Sequence, residues 1–142
     1  MQAFQIWTEQ RVLFAVLRGA WSAETAIDFS VEFKEQALRL IHDDWAHMVY
    51  LEDWVLGVPG MEPVIQELVR WCVSHRLRFA AQVYCPNMIK RYQLDRMVAE
   101  RIGAFERRVF PNPSDAMVWL NSCGYPVAAN PFAYLMPATA QS

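Results

Sequence analysis

The stretch MVYLEDWVLGVPG, residues 48–60, decides how this chain folds. Its first part, MVYL, is apolar and predicts a buried strand, and the Gly/Pro turn at its end leads directly into a predicted helix. Two carboxylates and a tryptophan, Glu52, Asp53 and Trp54, stand between them. In a chain where strands alternate with helices, ligands and partners usually meet the sheet at the loop after a central strand. We therefore expect the functional site to lie around Asp53 and its loop.

Strand-like and helix-like segments alternate on both sides of this stretch. Apolar or alternating runs predict five strands, at 2–8, 12–17, 46–51, 79–84 and 105–110. Apolar stripes with capping signals predict four helices, which begin at Ser22, Pro63, Met88 and Pro113. The order predicts an α/β fold: a five-stranded mixed, mostly parallel sheet with an N-terminal antiparallel hairpin and about four helices packed on it.

The length of the chain and the composition of its end predict one domain and a tail. The chain of 142 residues fits a single domain, which we place at 1–124. Residues 125–142 carry three prolines and no charged side chain, and they include the apolar run Phe132 to Met136. An exposed apolar run of this kind is a liability on a monomer. We expect the tail to pack on the domain or on a partner subunit, so a homodimer that uses the tail is one expectation.

The composition favours a cytoplasmic protein. No apolar run approaches the roughly 20 residues that a membrane-spanning helix needs, and the first ten residues lack the pattern of a signal peptide. The three cysteines have no paired spacing, which is typical of reduced thiols. We expect no transmembrane segment, whereas peripheral contact with a membrane stays open.

Charge is distributed unevenly along the chain. Residues 1–69 hold 11 acidic and 4 basic side chains, a net charge of −7, whereas residues 70–142 hold 4 acidic and 9 basic side chains, a net charge of +5. We expect the two halves to attract each other, within a monomer or across a dimer; an anionic partner on the second half is the alternative. The overall charge of −2 gives no long-range basic field, so we expect no nucleic-acid partner.

The sequence offers little that is typical of catalysis or of a metal site. His42, His47 and His75 are scattered and read as surface or capping residues, not as ligands at metal-binding intervals. Glu52 and Asp53 are adjacent, so their side chains should point to opposite faces and not share a proton. The chain has no nucleophile elbow, P-loop or dinucleotide-binding glycine pattern. We expect no catalytic residue, no metal and no cofactor, and we predict that the protein is not an enzyme.

Three stretches carry a resemblance to a known family. They are VLRGAWSAETA at 16–26, MVYLED at 48–53 with its loop and proline-led helix, and RVFPNPSDAMVWL at 108–120. With the entry hairpin, they make the chain similar to the SpoIIAA-like, or STAS-like, family of anti-sigma-factor antagonists and their relatives. The resemblance implies a binding module built on the fold described above. Other SpoIIAA-like proteins resemble carriers of apolar ligands or membrane-associated domains.

The resemblance also bears on regulation by phosphorylation. In the phosphorylated antagonists, an Asp ends the third strand and a Ser begins the next helix, where a partner kinase modifies it. Asp53 matches the Asp, but residues 58–62, Val-Pro-Gly-Met-Glu, hold no hydroxyl where the Ser should be. The resemblance therefore implies a binding module that lacks the phosphoacceptor.

Two functions lead from the sequence, and an enzyme of unknown reaction is the third and least favoured alternative. The first is a protein-protein interaction or regulatory module; the second is a carrier of an apolar or lipid-like ligand, with arginines of the second half holding an anionic head. Aromatic residues at strand ends could form the rim of an apolar opening. The predicted partner- or ligand-binding residues are Trp21, Asp53, Trp54, Gly57, Pro59, Gly60, Met61, Tyr84 and Cys85. We expect substitution of Asp53 or Trp54 to abolish partner capture while stability stays nearly unchanged.

Overall fold

The structure is a computed structural model that describes residues 2–85 and 88–135, with the backbone alone at 56–57 and 88–89. The described strands are β1 Phe4–Glu9, β2 Val12–Leu17, β3 Gly19–Trp21, β4 Trp45–Tyr50, β5 Trp54–Gly57, β6 Leu77–Val83, β7 Arg101–Ile102 and β8 Phe105–Phe110. The helices are α1 Ala23–Ala37, α2 Glu62–Ser74, α3 Met88–Met97 and α4 Pro113–Ser122. The main sheet has six strands in the order β1-β2-β4-β6-β8-β7.

The predicted fold class is confirmed. β1 and β2 form an antiparallel hairpin, and β2, β4, β6 and β8 run parallel to one another. Residues of α1, α2 and α3 pack on one face of the sheet, and α4 packs on the other. Every residue of β2 is buried, because this strand lies inside a sheet that is covered on both faces.

Helix caps fall where the sequence places them. The Ser22 hydroxyl accepts a hydrogen bond from the Thr25 backbone N–H at 3.2 Å and begins α1. The Asn112 side chain accepts one from the Asp115 backbone N–H at 2.8 Å and begins α4. These bonds satisfy backbone donors that have no partner inside the helix.

Three short strands are additional to the prediction. β3 and β5 form a separate two-stranded parallel sheet beside the carboxyl ends of β2 and β4. β7 occupies Arg101–Ile102, where the sequence predicts the end of α3, and it pairs antiparallel with β8. Gly103 lies in the turn between β7 and β8 with φ of 59° and is not a helix cap. A helix cap and a tight hairpin both favour glycine at positive φ, so the residue alone does not distinguish them.

Ion pairs join the acidic and basic halves of the chain within one monomer. Asp44 pairs with Arg76 at 3.0 Å and with Arg78 at 2.9 Å, and Glu62 pairs with Arg96. A hydrogen bond from Arg76 is the main cause that lowers the pKa of Asp44, and one from Arg96 does the same for Glu62. The expected attraction between the two halves is therefore met by internal contacts.

The first part of the predicted tail packs on the α4 face of the sheet. Phe132 is fully buried there, with its ring 5.4 Å from the Tyr50 ring and 6.1 Å from the Trp7 ring. The hydroxyl of Tyr134 donates a hydrogen bond to the Gln5 side chain at 2.9 Å. Phe132 is thus covered by its own chain, whereas Tyr134 is 60% exposed, and a tail-mediated dimer stays a prediction. Residues 136–142 of the predicted tail lie outside the described residues.

Candidate functional site

The three segments that follow β2, β4 and β6 lie side by side at one end of the sheet. The Gly19 N–H donates to the Asp53 carbonyl at 3.0 Å, and the Val58 N–H donates to the Trp21 carbonyl at 3.2 Å. The backbone of Gly57 pairs with that of Trp21 across the small sheet. These bonds tie the loop after β4 to the segment after β2.

The third segment is joined through Glu52 and Lys90. The Glu52 carboxylate accepts a hydrogen bond from the Cys85 N–H at 2.6 Å. The buried ammonium of Lys90 donates to the Leu51 carbonyl at 2.9 Å. Sequence reasoning singled out Asp53 and missed both residues, although Glu52 lies at the same strand end. Lys90 lies on α3, far along the chain from β4, so only the packing of α3 shows that its ammonium reaches the end of β4.

Four of the predicted binding residues form a buried base and do not line an exposed rim. Trp21 and Trp54 are each 2% exposed, and their rings meet edge to face at 5.5 Å. Met61 and Tyr84 are fully buried. The expectation of an aromatic rim is therefore wrong for these side chains. Pairing of β3 with β5 turns both tryptophans inward, where the hydrophobic effect favours them most.

The exposed part of the site is the surface of the loop itself. Among the predicted binding residues, Asp53, Pro59, Gly60 and Cys85 are exposed. Two valines of the same predicted loop are also exposed, Val55 by 70% and Val58 by 54%. We call the surface formed by Asp53, Val55, Val58, Pro59 and Gly60 the loop surface. Val55 follows the buried Trp54 in β5, so the alternation of a strand places its side chain on the outer side.

Glu52 and Asp53 place two negative charges at the strand end, beside the ammonium of Lys90. Burial is the main cause that raises the pKa of the Tyr50 hydroxyl, and the charges of Asp53 and then Glu52 add to it. Tyr50 is therefore neutral near neutral pH, and its ring packs against Phe132. The loop surface thus combines apolar side chains with neighbouring negative charge.

An apolar cavity of about 90 Å³ lies under the site, between the sheet and the helices α1, α2 and α3. It is lined by Trp54, Phe33, Cys72 and His47, among others. The indole Nε1 of Trp54 is buried and has no hydrogen-bond partner among the described residues. Burial raises the pKa of the Cys72 thiol far above its ordinary value, so Cys72 stays protonated.

His47 is an interior residue, contrary to the expectation of a surface or capping histidine. Its Nδ1 lies 2.9 Å from the Leu13 carbonyl, and because a carbonyl can only accept, Nδ1 carries the proton. Its ring meets the Phe33 ring edge to face at 5.0 Å. Burial lowers the pKa of His47 to about 4, so the ring is neutral at neutral pH.

Two further observations concern metals and membranes. In the described part of the chain, no group of three or more His, Cys, Asp or Glu side chains is placed to hold a metal ion. Among the helices within 2–85 and 88–135, none has the length and apolar character that crossing a membrane requires.

Comparison with known proteins establishes the fold. No family model matches the chain, and no curated protein matches it. The NMR structure of the protein TM1081 is similar, with 17% identity over 85% of this chain and 90% of that chain and a TM-score of 0.58. So is the crystal structure of an uncharacterized protein of the DUF3478 family from Shewanella loihica PV-4, described as having a SpoIIAA-like fold. It has 14% identity over 83% of this chain and 92% of that chain, with a TM-score of 0.60. The chain therefore has a SpoIIAA-like fold, as the resemblance predicted.

Proposed function

We propose that the protein is a non-enzymatic, cytoplasmic protein-protein interaction or regulatory module of the STAS-like type, and that the loop surface contacts its partner. One observation carries the proposal. Val55 and Val58 are exposed in a loop whose base is packed by Trp21, Trp54 and Met61. Two exposed apolar side chains on one short loop with an ordered base suit a contact surface, because their burial by a partner costs little ordering entropy.

The loop surface is fixed at both ends. Hydrogen bonds from Gly19 to Asp53 and from Val58 to Trp21 hold the start and the end of the exposed segment. Pro59 and Gly60 then form a short 3-10 turn that leads into α2. We infer that a partner meets an ordered surface whose apolar centre is Val55 and Val58 and whose negative edge is Asp53 and Glu52.

The proposed module works without phosphorylation of its own helix start. The turn Pro59–Met61 and the first residue of α2, Glu62, occupy the place where the resemblance implies a phosphoacceptor. None of these residues has a hydroxyl. Partner binding is therefore proposed to depend on the loop surface and on the concentration of the partner, and not on phosphorylation at the start of α2.

The test compares charged substitutions at exposed valines of the loop surface and of α4. Val118 on α4 is 69% exposed and serves as a matched control for Val55. The Val55→Glu/Val58→Glu protein and the Val118→Glu protein are tagged and expressed in the source cells, and bound proteins are quantified by mass spectrometry. We expect the double variant to lose a partner that the wild type and Val118→Glu retain. Unfolding midpoints should agree among the three proteins.

Retention of every partner by the double variant would overturn the proposal. Trp54 does not provide a fair test, contrary to the expectation from the sequence. Because Trp54 is buried, its replacement by alanine is expected to lower stability by about 3–5 kcal/mol, and lost binding would then reflect unfolding. Asp53 is exposed, so Asp53→Asn is the appropriate single substitution at this position.

A carrier of an apolar ligand is the second candidate, favoured by the cavity beneath Trp54. Its volume of about 90 Å³ is smaller than the roughly 150 Å³ of an apolar cavity that accepts benzene. A lipid-like chain would therefore require α1 and α2 to move apart, which makes this function the weaker proposal. Native mass spectrometry of freshly purified protein tests it. A bound apolar molecule would support the carrier, and a ligand-free spectrum with no binding to anionic vesicles would count against it.

The arginines do not favour the carrier. Five of them near α3 and β8 pair with carboxylates of the same chain: Arg91, Arg96, Arg101, Arg107 and Arg108. Arg107 is buried and holds both Asp95 and the Gln82 side chain. An anionic head group would have to displace these internal partners, so the proposed anion site has no support from the charges.

A further inference from the structure

One edge of the main sheet lacks the features that usually keep edge strands apart. β1 is the first strand of the sheet, and it pairs only with β2 within the part of the chain that the structure describes. A groove of about 580 Å³ is lined by the consecutive residues 2–7 together with Glu32 of α1. Consecutive residues of a strand alternate between its faces, so a groove lined by all of them runs along the strand's open edge.

The two edges of the sheet differ in protection. At the far edge, β7 is only two residues long and, with β8, carries the charges of Arg101, Glu106 and Arg108. Short strands and charged side chains prevent an edge from pairing with another chain. β1, in contrast, has six residues, no proline, and no charged side chain before Glu9. Its register with β2 is regular throughout. Among residues 2–85 and 88–135, no strand occupies this edge, which leaves it available to another strand.

The backbone direction of β1 follows from one hydrogen bond. The Arg18 N–H donates to the Ala3 carbonyl at 2.8 Å, so Ala3 faces β2. In an antiparallel pair, alternate residues face the same neighbour. The N–H and C=O groups of Phe4, Ile6 and Thr8 therefore point to the open edge, where they can bond to a strand outside the chain.

We propose that two copies of this chain pair through β1, antiparallel, around a two-fold axis that passes beside Ile6. In this register Ile6 lies opposite Ile6 of the second copy, and Phe4 lies opposite Thr8. All three outward-facing residues then form hydrogen-bonded pairs, about six hydrogen bonds in total, and the sheet continues across both copies.

The side chains of β1 are self-complementary in this register. On the α1 face, Phe4 and Ile6 extend the apolar core of each copy toward the other. On the opposite face, Gln5 lies opposite Trp7, and the exposed Glu9 lies opposite Ala3. Within each copy, Arg18 of β2 lies beside Ala3 of β1. The Glu9 carboxylate of one copy therefore approaches the Arg18 guanidinium of the other, and the small side chain of Ala3 between them leaves room for this contact. No like charges on β1 oppose each other, which favours a second copy over an unrelated extended peptide.

The test uses a substitution that removes a hydrogen-bond donor only at the open edge. Thr8→Pro eliminates an N–H that points away from β2, and Thr8→Ala keeps it and serves as the matched control. Sedimentation velocity across a range of concentrations measures the monomer–dimer equilibrium of wild type and both variants. We expect a wild-type dimer, a similar dimer for Thr8→Ala, and a dissociation constant weakened about tenfold or more for Thr8→Pro. Far-ultraviolet circular dichroism checks that the variants are folded.

A disulfide cross-link between the two copies tests the register by a second measurement, with circular dichroism as the check that each cysteine variant is folded. In a Cys85→Ser background, Ile6→Cys places two thiols opposite each other at the two-fold axis, within disulfide reach. Thr8→Cys in the same background places each thiol opposite Phe4 and should give little covalent dimer on mild oxidation. Equal dimer formation from both positions would overturn the register. A wild type that stays monomeric at all concentrations, or that pairs only with an added extended peptide, would overturn the homodimer itself.

Discussion

The interior position of His47 makes a quantitative prediction about stability and pH. Burial lowers its pKa from 6.5 to about 4 in the folded protein. In the unfolded chain the ring is in water and returns to its ordinary pKa. Below pH 6.5 the unfolded state therefore binds a proton that the folded state does not, and the stability that is present above this pH is lost as the pH falls toward 4.

The size of the effect follows from the two pKa values. Between pH 7 and pH 5, His47 alone should lower the free energy of unfolding by about 2 kcal/mol, and by about 3 kcal/mol at pH 4. Protonation of Asp44 and Glu62 also lowers the free energy of unfolding in acid, since arginines lower the pKa of both carboxyl groups in the folded state. A comparison with a variant that lacks only the imidazole separates the two effects.

His47→Gln is the appropriate variant, because its amide can still donate to the Leu13 carbonyl but does not titrate. Urea unfolding of both proteins at pH 7, 6, 5 and 4 gives the difference in free energy at each pH. We expect this difference to shift against the wild type by about 2 kcal/mol from pH 7 to pH 5. Parallel curves for the two proteins, or an NMR titration of His47 near its ordinary pKa in the folded state, would refute the reasoning.

Three further predictions follow from buried groups. Phe132→Ala should cost about 3–5 kcal/mol in urea unfolding, because the ring is fully buried; a cost below about 1 kcal/mol would show that the segment does not pack there. Tyr84→Phe should change the free energy of unfolding by less than about 1 kcal/mol or increase it, since the buried hydroxyl has no hydrogen-bond partner among the described residues; a large loss would reveal a partner. With a thiol reagent, Cys85 should react in the folded protein and Cys72 only on unfolding, as mass spectrometry of trapped peptides can verify; early labelling of Cys72 would contradict its burial.

The main sheet could be predicted from the sequence because its strands carry strong patterns. VLFAVL in β2 is apolar at every position, which is typical of a short strand covered on both faces. The side chains of Ser22 and Asn112 cap the helices by bonding to backbone N–H groups three residues further on. Because this interaction involves only neighbouring residues, the sequence was enough to predict both helix starts. These signals are local, and the fold class follows from their order.

The small sheet under the site could not be predicted in the same way. β3 has three residues and β5 has four, too few for an alternating pattern to stand out from a loop rich in glycine and proline. The pairing of Gly19 with Trp54 is a contact between distant parts of the chain. The side chains of Trp21 and Trp54 face inward because of this pairing. The sequence therefore predicted that both residues lie at strand ends but not that their side chains are buried.

Two polar residues show another limit. The three charged side chains of the predicted strand 105–110 are typical of a solvated sheet edge, but Arg107 shares the inward side with Phe105 and is held by Asp95. The alternation of side chains along the strand could have indicated that Arg107 faces inward with Phe105. The carboxylate that pairs with its buried charge, however, comes from α3 and could not be assigned from the strand alone. His47 shares the parity of Trp45 and Val49 in β4, which could have placed it in the interior.

The most direct test of the central claim, that the loop surface contacts a partner, is site-specific photo-cross-linking. A photoreactive amino acid replaces either Val58, which is 54% exposed, or the control Val118, which is 69% exposed, and the protein is irradiated in its source cells. The account predicts a discrete covalent adduct with one partner from position 58 and none from position 118. The Val55→Glu substitution should abolish that adduct. The same adduct from both positions, or none from position 58, would contradict the account.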